Sequence, residues 1–530
     1  MKKIQAVLLV SGSALALAGC GPEDIASPGS GGNVTINYPA PTPTSTTPAG
    51  PATVTPAGGC PTIADPQGLT DAGTITGPTG TWRVCRLPNL VKVSSTLPKI
   101  SGLLYEINGR VNVGCDGGFN APTAALPVNS TTVGCTSPLT ADTNVTLSIA
   151  PGAILYGATG QSWLAVNRGN KINAAGSATQ PIVFTSKDNV LGYNDDTSQG
   201  QWGGVVLMGR APITDCNVGT VAGGTCERDT EGSADLARFG GSNPADNSGR
   251  LSFVQIRYSG FVLGAGKELQ ALTTEGIGSG TVLDHIQSHN SSDDGAEFFG
   301  GVVNMKYYVA TGADDDSLDV DTGAQMNLQY ALLLPRSGKG DALFEIDSNG
   351  FESDTPRTKL NVANFLAIQP ATSADNEAND LAASLFRGNS DTQLANGMIV
   401  SPSNECVRMN GSGTTPATLV ARSVQLQCNA TKFLGSGSYT ASQVSGFFGS
   451  GSNNNSDSFI STLTSLFING TNESAVTAFD AKTLASFFDT TTWIGAVRNN
   501  ADNWYTGWTC STGTVNFGSA SSACTSLPVT

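Results

Sequence analysis

Short apolar runs separated by glycine, asparagine and proline recur along most of the chain. Clear examples lie at residues 145–157, 163–166, 181–186 and 202–209. Their lengths and their turn-forming boundaries are typical of β-strands. Apolar positions at helical spacing are almost confined to residues 478–488, which predicts one short helix there. The pattern therefore predicts an all-β protein with a short C-terminal helical segment.

A repeat in the middle of the chain indicates how the strands are arranged. Similar segments begin at Val282, Met305 and Leu328, 23 residues apart, and Asn304 and Asn327 recur at the same interval. A repeat of this length fits one coil of a parallel β-helix, in which short strands stack on their equivalents in neighbouring coils. A β-sandwich would have turns about every 8–12 residues and no such repeat. We therefore predict a parallel β-helix.

Composition and charge narrow the choice of partners. Glycine accounts for 64 of 530 residues, charged residues for only 13%, and hydrophobic residues for 39%, enough for a core. The chain has 27 basic and 42 acidic residues, a net charge of −15. This charge repels phosphate backbones, so we expect no nucleic-acid partner. Cations and sugars remain candidate ligands.

The first 19 residues are expected to form an export signal. Lys2 and Lys3 precede an apolar run at residues 6–18, which is too short for a comfortable membrane span. The run ends in Leu17-Ala-Gly-Cys20, which resembles the bacterial lipobox and implies lipidation of Cys20. Gly21 follows instead of the aspartate that commonly retains lipoproteins in the inner membrane, so the resemblance implies an outer-membrane location. The alternative is an ordinary signal peptide that leaves Cys20 as a free thiol.

The remaining sequence divides into four regions. Residues 20–59 are rich in proline, threonine and serine and are predicted to form a stalk. Residues 60–140 are predicted to form an N-terminal disulfide-containing β region, residues 141–435 the β-helix, and residues 436–530 a C-terminal cap region.

The other ten cysteines are predicted to form disulfides, as expected in an exported protein. They are Cys60, Cys85, Cys115, Cys135, Cys216, Cys226, Cys406, Cys428, Cys510 and Cys524. A cysteine-based metal site is the alternative, but the chain has no CxxC motif and only two histidines. Pairing between sequence neighbours would close short loops, although the connectivity stays open.

Five segments resemble a family of exported right-handed parallel β-helix lipoproteins of Gram-negative bacteria. They lie at residues 181–186, 202–213, 289–301, 311–323 and 502–509. The resemblance covers roughly residue 140 to the C-terminus. It implies a right-handed β-helix in the outer membrane, whose loops the predicted disulfides would staple, but no particular activity. Such lipoproteins often accompany TonB-dependent receptors, which makes a receptor complex a candidate partner.

Acidic residues accumulate in the repeat region. Residues 284–321 contain nine acids and a single base, Lys306, and the pair Asp293–Asp294 returns 22 residues later as Asp315–Asp316. In stacked coils these pairs would lie about 4.8 Å apart, where like charges repel unless a proton or a cation intervenes. Calcium suits a flexible set of carboxylate oxygens best. The candidate metal ligands are Asp293, Asp294, Glu297, Asp314, Asp315, Asp316, Asp319 and Asp321.

Two other interpretations of these acids stay open. They can accept hydrogen bonds from backbone N–H groups in Asx-turns at the coil corners. They can also be catalytic, with Asp293, Asp294, Asp315, Asp316 and His289 as candidates.

Two enzyme families share parts of the acidic pattern. Residues 292–295 resemble the aspartate pair of polygalacturonase-type glycosidases, and residues 283–285 resemble a strand motif of pectate lyases. Gly-His-Gly, Arg-Ile-Lys and Arg-x-Pro-x-x-Arg, which accompany those motifs, do not occur in this chain. His285 and His289 lie four residues apart, so on a regular strand they share one face. If that face is outward, they can form a metal or proton-relay site, and if it is inward, they are polar core residues.

Aromatic residues provide candidate sugar platforms. In the pairs Phe298–Phe299 and Tyr307–Tyr308 we expect one ring to face the core and the other to face outward. The Trp504, Tyr505 and Trp508 group is expected to seal the C-terminal end of the β-helix.

These observations favour a lipid-anchored binding or scaffold module of the cell envelope. A glycan or an outer-membrane receptor complex is the expected partner, and calcium is a candidate stabilising ion. The alternative function is that of a polysaccharide lyase or hydrolase that uses the aspartate-rich coils.

Overall fold

The computed structural model describes residues 53–264, 267–348, 353–372 and 382–529. The predicted signal peptide, Cys20 and the stalk up to residue 52 lie outside these residues.

Two long sheets form the body of the protein, and we call them sheet A and sheet B. Sheet A contains β1 (Thr70–Gly77), β2 (Gly80–Arg86), β4 (Ser95–Leu97), β5 (Leu103–Ile107), β7 (Thr146–Ile149), β8 (Ile154–Gly157), β10 (Lys171–Ala175), β11 (Ile182–Ser186), β15 (Gly249–Arg257), β19 (Val282–His289), β21 (Val302–Thr311), β23 (Gln325–Leu334), β25 (Thr358–Ile368), β27 (Ser390–Ser401) and β29 (Thr418–Cys428). Sheet B contains β3 (Leu90–Val91), β6 (Arg110–Val113), β9 (Trp163–Val166), β12 (Gly204–Met208), β18 (Leu272–Glu275), β20 (Ala296–Phe299), β22 (Asp319–Asp321), β24 (Phe344–Ile346), β26 (Ser384–Phe386), β28 (Val407–Asn410) and β30 (Phe433–Ser436).

Three two-stranded ribbons and four short helical segments complete the described structure. The ribbons are β13 (Arg228–Asp229) with β14 (Arg238–Phe239), β16 (Val262–Gly264) with β17 (Lys267–Glu268), and β31 (Cys510–Ser511) with β32 (Ser522–Ala523). The helices are α1 (Lys187–Leu191), α2 (Ala441–Phe448), α3 (Thr471–Ser474) and a 3₁₀ turn at Ala481–Thr483. None of the helices in the described part of the chain has the length and apolar character needed to cross a membrane.

Apart from the antiparallel pair β1–β2, the sheets are parallel stacks between which the chain passes in successive coils, which confirms the parallel β-helix. Asn304 lies opposite Asn327 and Met305 opposite Leu328, as the 23-residue repeat predicts. Parallel pairing begins at β2 and β5, where Arg83 lies opposite Leu103. The β-helix therefore begins before residue 141, because the N-terminal disulfide region contributes coils of its own.

A column of residues in left-handed conformation bends sheet A along its length. One residue of each strand from β15 to β29 has a φ between 50° and 65° at the same register position: Phe253, His285, Tyr307, Tyr330, Asn364, Asn396 and Ser423. The bend interrupts the alternation of side chains, so Leu283 and Ile286, three residues apart, both enter the core. Each of the two halves of a long strand therefore forms its own face of the coil.

Ring stacking accompanies this strained column. The ring centroids of Phe253 and His285 lie 4.1 Å apart, those of His285 and Tyr307 4.2 Å, and those of Tyr307 and Tyr330 4.8 Å. A left-handed conformation costs a residue other than glycine about 1–2 kcal/mol, and stacked aromatic pairs each contribute about 0.5–1.5 kcal/mol. The stack therefore offsets part of the backbone strain at the four aromatic positions of the column.

The segment after α2 runs back along the outer face of sheet A. Beyond the bend this face is apolar, with Val309, Leu332, Leu366 and Met398 in successive coils. Residues of the returning segment cover it, including Phe467, Ile494, Val497, Trp508 and Phe517. Near the opposite end of the stack, Leu527 packs against Trp82. We call residues 457–529 the C-terminal strap.

Paired side chains fix the strap to the coils. The Gln287 amide donates to the Cys510 carbonyl (2.9 Å) and accepts from the Cys510 N–H (2.7 Å). Gln329 makes the same two bonds to the backbone of Asp489, at 3.0 and 2.8 Å. At each of these two positions a glutamine amide satisfies the backbone N–H and C=O groups of a strap residue, as a neighbouring strand would.

Two expectations for the C-terminal region are wrong. Trp508 contacts Phe253 and His285, and Trp504 contacts Tyr307, so these rings lie along the side of the stack rather than at its end. The last coil is instead covered by α2, where Phe448 packs on Phe433.

The predicted helix at 478–488 is replaced by the 3₁₀ turn. Phe479 and Phe488 of this segment pack against Ala363 and Ala395 of sheet A, so their spacing follows that surface rather than a helix.

All five disulfides join sequence neighbours, which confirms the predicted cysteine chemistry. The pairs are Cys60–Cys85, Cys115–Cys135, Cys216–Cys226, Cys406–Cys428 and Cys510–Cys524. The last pair staples the strap to itself where Gln287 binds it.

The strap is expected to contribute strongly to stability. Trp508→Ala removes a fully buried ring from the interface with Phe253 and His285, and it should lower the free energy of unfolding by about 3–5 kcal/mol. Urea unfolding of the oxidised protein measures this loss. Ile460→Ala, at a position 71% exposed, is the control and should change stability by less than about 0.5 kcal/mol. Equal effects of the two substitutions would contradict a stabilising role for the buried part of the strap.

Candidate functional site

The acidic residues line the outer face of sheet B. In the parallel register Glu297 lies opposite Asp319, and Asp319 opposite Glu345. The next outward column contains Asp321, followed by Asp347. The residues between them, Phe298, Val320 and Ile346, fill the core. Alternation therefore turns an acid outward on either side of the apolar residue in β22 and beside β24, whereas β20 has Glu297 on one side and Phe299 on the other.

The turns before these strands contribute a second set of acids. Asp294 accepts a hydrogen bond from the Asp316 N–H (2.9 Å), and Asp316 accepts one from the Ala342 N–H (2.8 Å). These bonds reach 22 and 26 residues along the chain, so the two carboxylates join one coil to the next instead of forming local Asx-turns. Asp293 accepts from the Gln270 amide at 3.1 Å.

Together these residues form a cleft of about 250 Å³, which we call the acidic cleft. Eleven carboxylates and two bases line it: Glu231, Glu268, Asp293, Asp294, Glu297, Asp315, Asp316, Asp319, Asp321, Glu345 and Asp347, with Lys267 and Arg387. Lys267 is paired with Glu231 (3.1 Å), and Arg387 with Glu345 (2.8 Å) and Asp347 (3.4 Å). The two bases leave a large excess of negative charge.

A disulfide-stapled insertion closes one end of the acidic cleft. Residues 209–248, between β12 and β15, cover the apolar outer face of the preceding sheet B strands. Phe239 of the insertion packs against Phe299 at 6.3 Å between ring centroids. The cleft therefore begins where this cover ends.

Two groups of carboxylates have a geometry suited to a metal ion. Ligand oxygens of Asp293, Asp294 and Asp315 all lie within 4.8 Å of one another, and so do those of Asp294, Glu297 and Asp319. One Asp319 oxygen, Oδ1, is buried and has no hydrogen-bond partner among the described residues. An oxygen-only ligand set of this kind fits Ca²⁺, which accepts six to eight oxygens in flexible geometry. The donor set therefore fits the predicted ion.

Electrostatics in the cleft disfavour the fully ionised state. Burial, together with the neighbouring Asp315 carboxylate, raises the pKa of Asp293 to about 8. Burial and neighbouring carboxylates also hold the pKa values of a further set well above their usual range: Asp294, Glu297, Asp316, Asp319 and Asp321. A bound cation would supply the positive charge that these groups lack.

Asp314 is the one predicted metal ligand that lies outside the acidic cleft. Its carboxylate pairs with Arg336 and with Lys339 (3.3 Å), and it accepts from the Gln199 amide. Gln199 lies in the loop between α1 and β12, and Arg336 and Lys339 lie in the loop after β23. These partners hold the Asp314 carboxylate away from the acidic cleft, which Asp315 and Asp316 line.

The two histidines do not form a shared site. The left-handed bend at His285 lies between them, so the strict period of two does not apply. His285 stacks in the aromatic column and contacts Asp284 (2.8 Å). His289 is fully buried beside Tyr258, with Nδ1 3.1 Å from the Thr311 hydroxyl. Burial and the charges of Arg257 and Arg336 lower its pKa to about 3. A fully buried imidazole that stays neutral is unsuited to relay protons to the aspartates.

The aromatic pairs split as predicted, but neither forms an exposed platform. Phe298 and Tyr308 lie in the core, and the Tyr308 hydroxyl donates to the Ser317 carbonyl (2.9 Å). Phe299 faces outward but is buried under the insertion, and Tyr307 lies within the stacked column.

Several cleft residues were missed in the sequence. Glu345 and Asp347 flank Ile346 as Asp319 and Asp321 flank Val320, a repeated acid–apolar–acid pattern that offered a usable signal. Glu231, Glu268 and Arg387 come from the insertion, a ribbon and a later coil. No local pattern marks those three, because only the fold brings them together.

The buried His289 should make stability fall in acid. Its folded-state pKa of about 3 lies below the usual value of 6.5, so below pH 6.5 the unfolded chain binds a proton that the folded chain does not. The resulting loss is about 1.4 kcal/mol per pH unit between these values. His289→Gln should remove this contribution, measured as a shallower fall in the free energy of unfolding from pH 6.5 to pH 4.5.

His285→Gln is the matched control for that measurement, since it retains His289 and should retain the wild-type slope. Identical slopes for His289→Gln and wild type would contradict a neutral, buried His289.

Comparison with known proteins places the chain in a family. Residues 126–509 match the family model described as a pectate-lyase-like β-helix domain. No curated protein and no solved structure shows significant similarity to the chain. The matched region covers more than half of the sequence and contains the acidic cleft together with most of the coils. The chain therefore belongs to the pectate-lyase-like β-helix domain family.

Proposed function

We propose that this protein binds Ca²⁺ in the acidic cleft and, through the bound ions, an anionic glycan. The observation that carries the proposal is the pair of carboxylate groups that share Asp294, with ligand oxygens within 4.8 Å of one another. Three or more acids at this spacing repel one another strongly without a cation. Calcium relieves that repulsion and leaves coordination positions for the oxygens of a ligand.

A glycan with carboxylate groups suits such a cleft better than a neutral one. Bound calcium bridges a sugar carboxylate to the protein carboxylates, whereas direct contact of the two anions would be repulsive. The cleft is an open groove on a rigid sheet, so successive sugar units can extend along the coils.

Cleavage of the glycan is the second candidate function. The β-helix family is compatible with a polysaccharide lyase or hydrolase, and the raised pKa of Asp293 keeps a proton available beside Asp315 at neutral pH. A glycosidase uses a protonated carboxyl group as the acid and a second carboxylate as base or nucleophile. The paired state of Arg387, with Glu345 and Asp347, is unfavourable for a lyase base.

We also propose a lipid anchor at Cys20 and an outer-membrane location. The support is the Leu17-Ala-Gly-Cys20 motif and the following Gly21. A Pro-rich stalk of this length would hold the β-helix away from the membrane. A receptor complex in the outer membrane is then a second class of partner.

Calcium should stabilise the protein through the acidic cleft. At a free concentration about 100 times the dissociation constant, binding adds about 2.7 kcal/mol to the free energy of unfolding. The increase is measured by thermal unfolding in EDTA and after addition of calcium. Asp294→Asn removes the carboxylate that both groups share, and it should abolish most of the calcium effect.

Asp71→Asn is the control, since Asp71 is an exposed carboxylate paired with Arg83 at the other end of the stack. Calcium titration by calorimetry accompanies the unfolding curves. A calcium effect that survives Asp294→Asn would place the ion elsewhere. Polygalacturonate added to the same proteins separates the two functions. Calcium-dependent binding of the polymer to the protein, without new reducing or unsaturated ends, supports a binding function. Formation of such ends that Asp293→Asn abolishes supports cleavage.

Lipidation at Cys20 is tested in cells that express the full chain. Labelling with an alkyne-bearing fatty acid should mark the wild-type protein and place it in the outer-membrane fraction, because the Cys20 thiol is the acylation site. Cys20→Ser should be unlabelled. Equal labelling of both proteins would contradict the anchor.

A further inference from the structure

A second pocket lies on the outer face of sheet B, beyond the acidic cleft. It has a volume of about 280 Å³ and is lined by Leu385, Arg387, Arg408, Asn410, Ser412, Ser436 and Gly437. It shares Arg387 with the acidic cleft, so the two are neighbours along one groove. No carboxylate belongs to its lining. We call it the arginine pocket.

The register of the last coils explains why this part of the groove is basic. Arg408 lies opposite Leu385 on one side and Leu434 on the other. It therefore continues the outward column that begins with Glu297, Asp319 and Glu345. The column is acidic through β24 and changes to a guanidinium at β28.

Arg408 has no partner for its charge among the residues that the structure describes. It is half-buried, and its guanidinium makes no hydrogen bond or ion pair in that part of the chain. Arg387, by contrast, pairs with Glu345 and Asp347. A guanidinium presents five N–H donors in a planar fork that matches carboxylate and sulfate oxygens. A half-buried guanidinium without an anion in a protein of net charge −15 points to an anion from outside.

The other walls of the pocket suit a sugar ring. Asn410 lies opposite Ser436 in the register. The Asn410 side chain accepts from the Ser412 N–H (2.7 Å), which orients its amide so that the NH₂ group is available. The pocket therefore offers amide and hydroxyl groups for sugar hydroxyls beside a guanidinium for an acidic group.

We propose that the arginine pocket binds the anionic group of an acidic sugar unit, either a carboxylate or a sulfate. Its glycan neighbours would extend over Arg387 into the acidic cleft. The inference rests on the proposed function only for the ligand class, a glycan. The pocket itself needs no calcium, whereas binding in the acidic cleft does.

The test uses the full-length protein in detergent and calorimetric titration with digalacturonate, a sulfated disaccharide and neutral digalactose. Each is titrated in EDTA and again in calcium. In EDTA we expect one of the acidic disaccharides to bind and the neutral one not to bind. Which acidic probe binds distinguishes carboxylate from sulfate recognition.

Arg408→Gln should weaken binding in EDTA by about tenfold or more, because the charged hydrogen bonds are lost. Arg498→Gln is the matched control: Arg498 is an exposed arginine of the strap whose guanidinium lies over the Trp493 ring, and its loss should change binding by less than about twofold. Arg408→Lys keeps the charge without the fork and should give an intermediate affinity. Thermal unfolding of each variant verifies that it is folded.

The outcomes separate the two proposals. Binding in EDTA that depends on Arg408 supports the pocket, whatever calcium does. Binding that requires calcium and ignores Arg408 overturns the pocket and leaves the proposed function intact. Equal affinities of wild type and a folded Arg408→Gln variant, or no binding of either acidic probe, also overturn it.

Discussion

Coils that stack in parallel register place each residue directly above its equivalent in the next coil, about 4.8 Å away. The same geometry that aligns Asn304 with Asn327 also aligns Glu297 with Asp319 and Asp319 with Glu345. For amides and aromatic rings this proximity is favourable. For carboxylates this proximity is unfavourable because like charges repel. Negative charge therefore dominates the outer face of sheet B where the acids stack. Sheet B thereby converts a repeated acidic motif into a cleft.

The two sheets use their outer faces in different ways. The outer face of sheet A beyond the bend is apolar and is covered by the C-terminal strap, so it serves stability. The outer face of sheet B is covered by the insertion over its earlier strands and is open over the later ones. The open part changes from acidic to basic at Arg387, whose guanidinium takes part in both linings. This change of sign along a single groove gives the groove a direction.

The left-handed column is the feature that local sequence rules missed. A bend at His285 places two faces within one continuous strand, and it invalidates the period-two assignment of His285 and His289. It also explains why β23 and β25 are almost continuously buried: their residues are covered by the core on one side and by the strap on the other. The strap itself contains the Trp504 and Trp508 rings that the sequence suggested for the end of the stack. The strap runs along the coils because the apolar surface that it covers is formed by several strands of sheet A.

The sequence by itself determined the fold class, the 23-residue spacing of β21 and β23, the disulfide chemistry and most of the acidic cleft. These properties depend on local repetition, and a repeat of strand-sized units with acids at fixed offsets permits few other arrangements. Only the tertiary structure decided that Asp314 pairs with Arg336 and Lys339 outside the cleft. It also decided that Glu231, Glu268 and Arg387 join the cleft, that Arg408 follows its acidic column, and that His289 is buried beside Arg257 and Arg336. The reason is that these placements depend on which coil or insertion lies next in space, a relation between residues far apart in the chain.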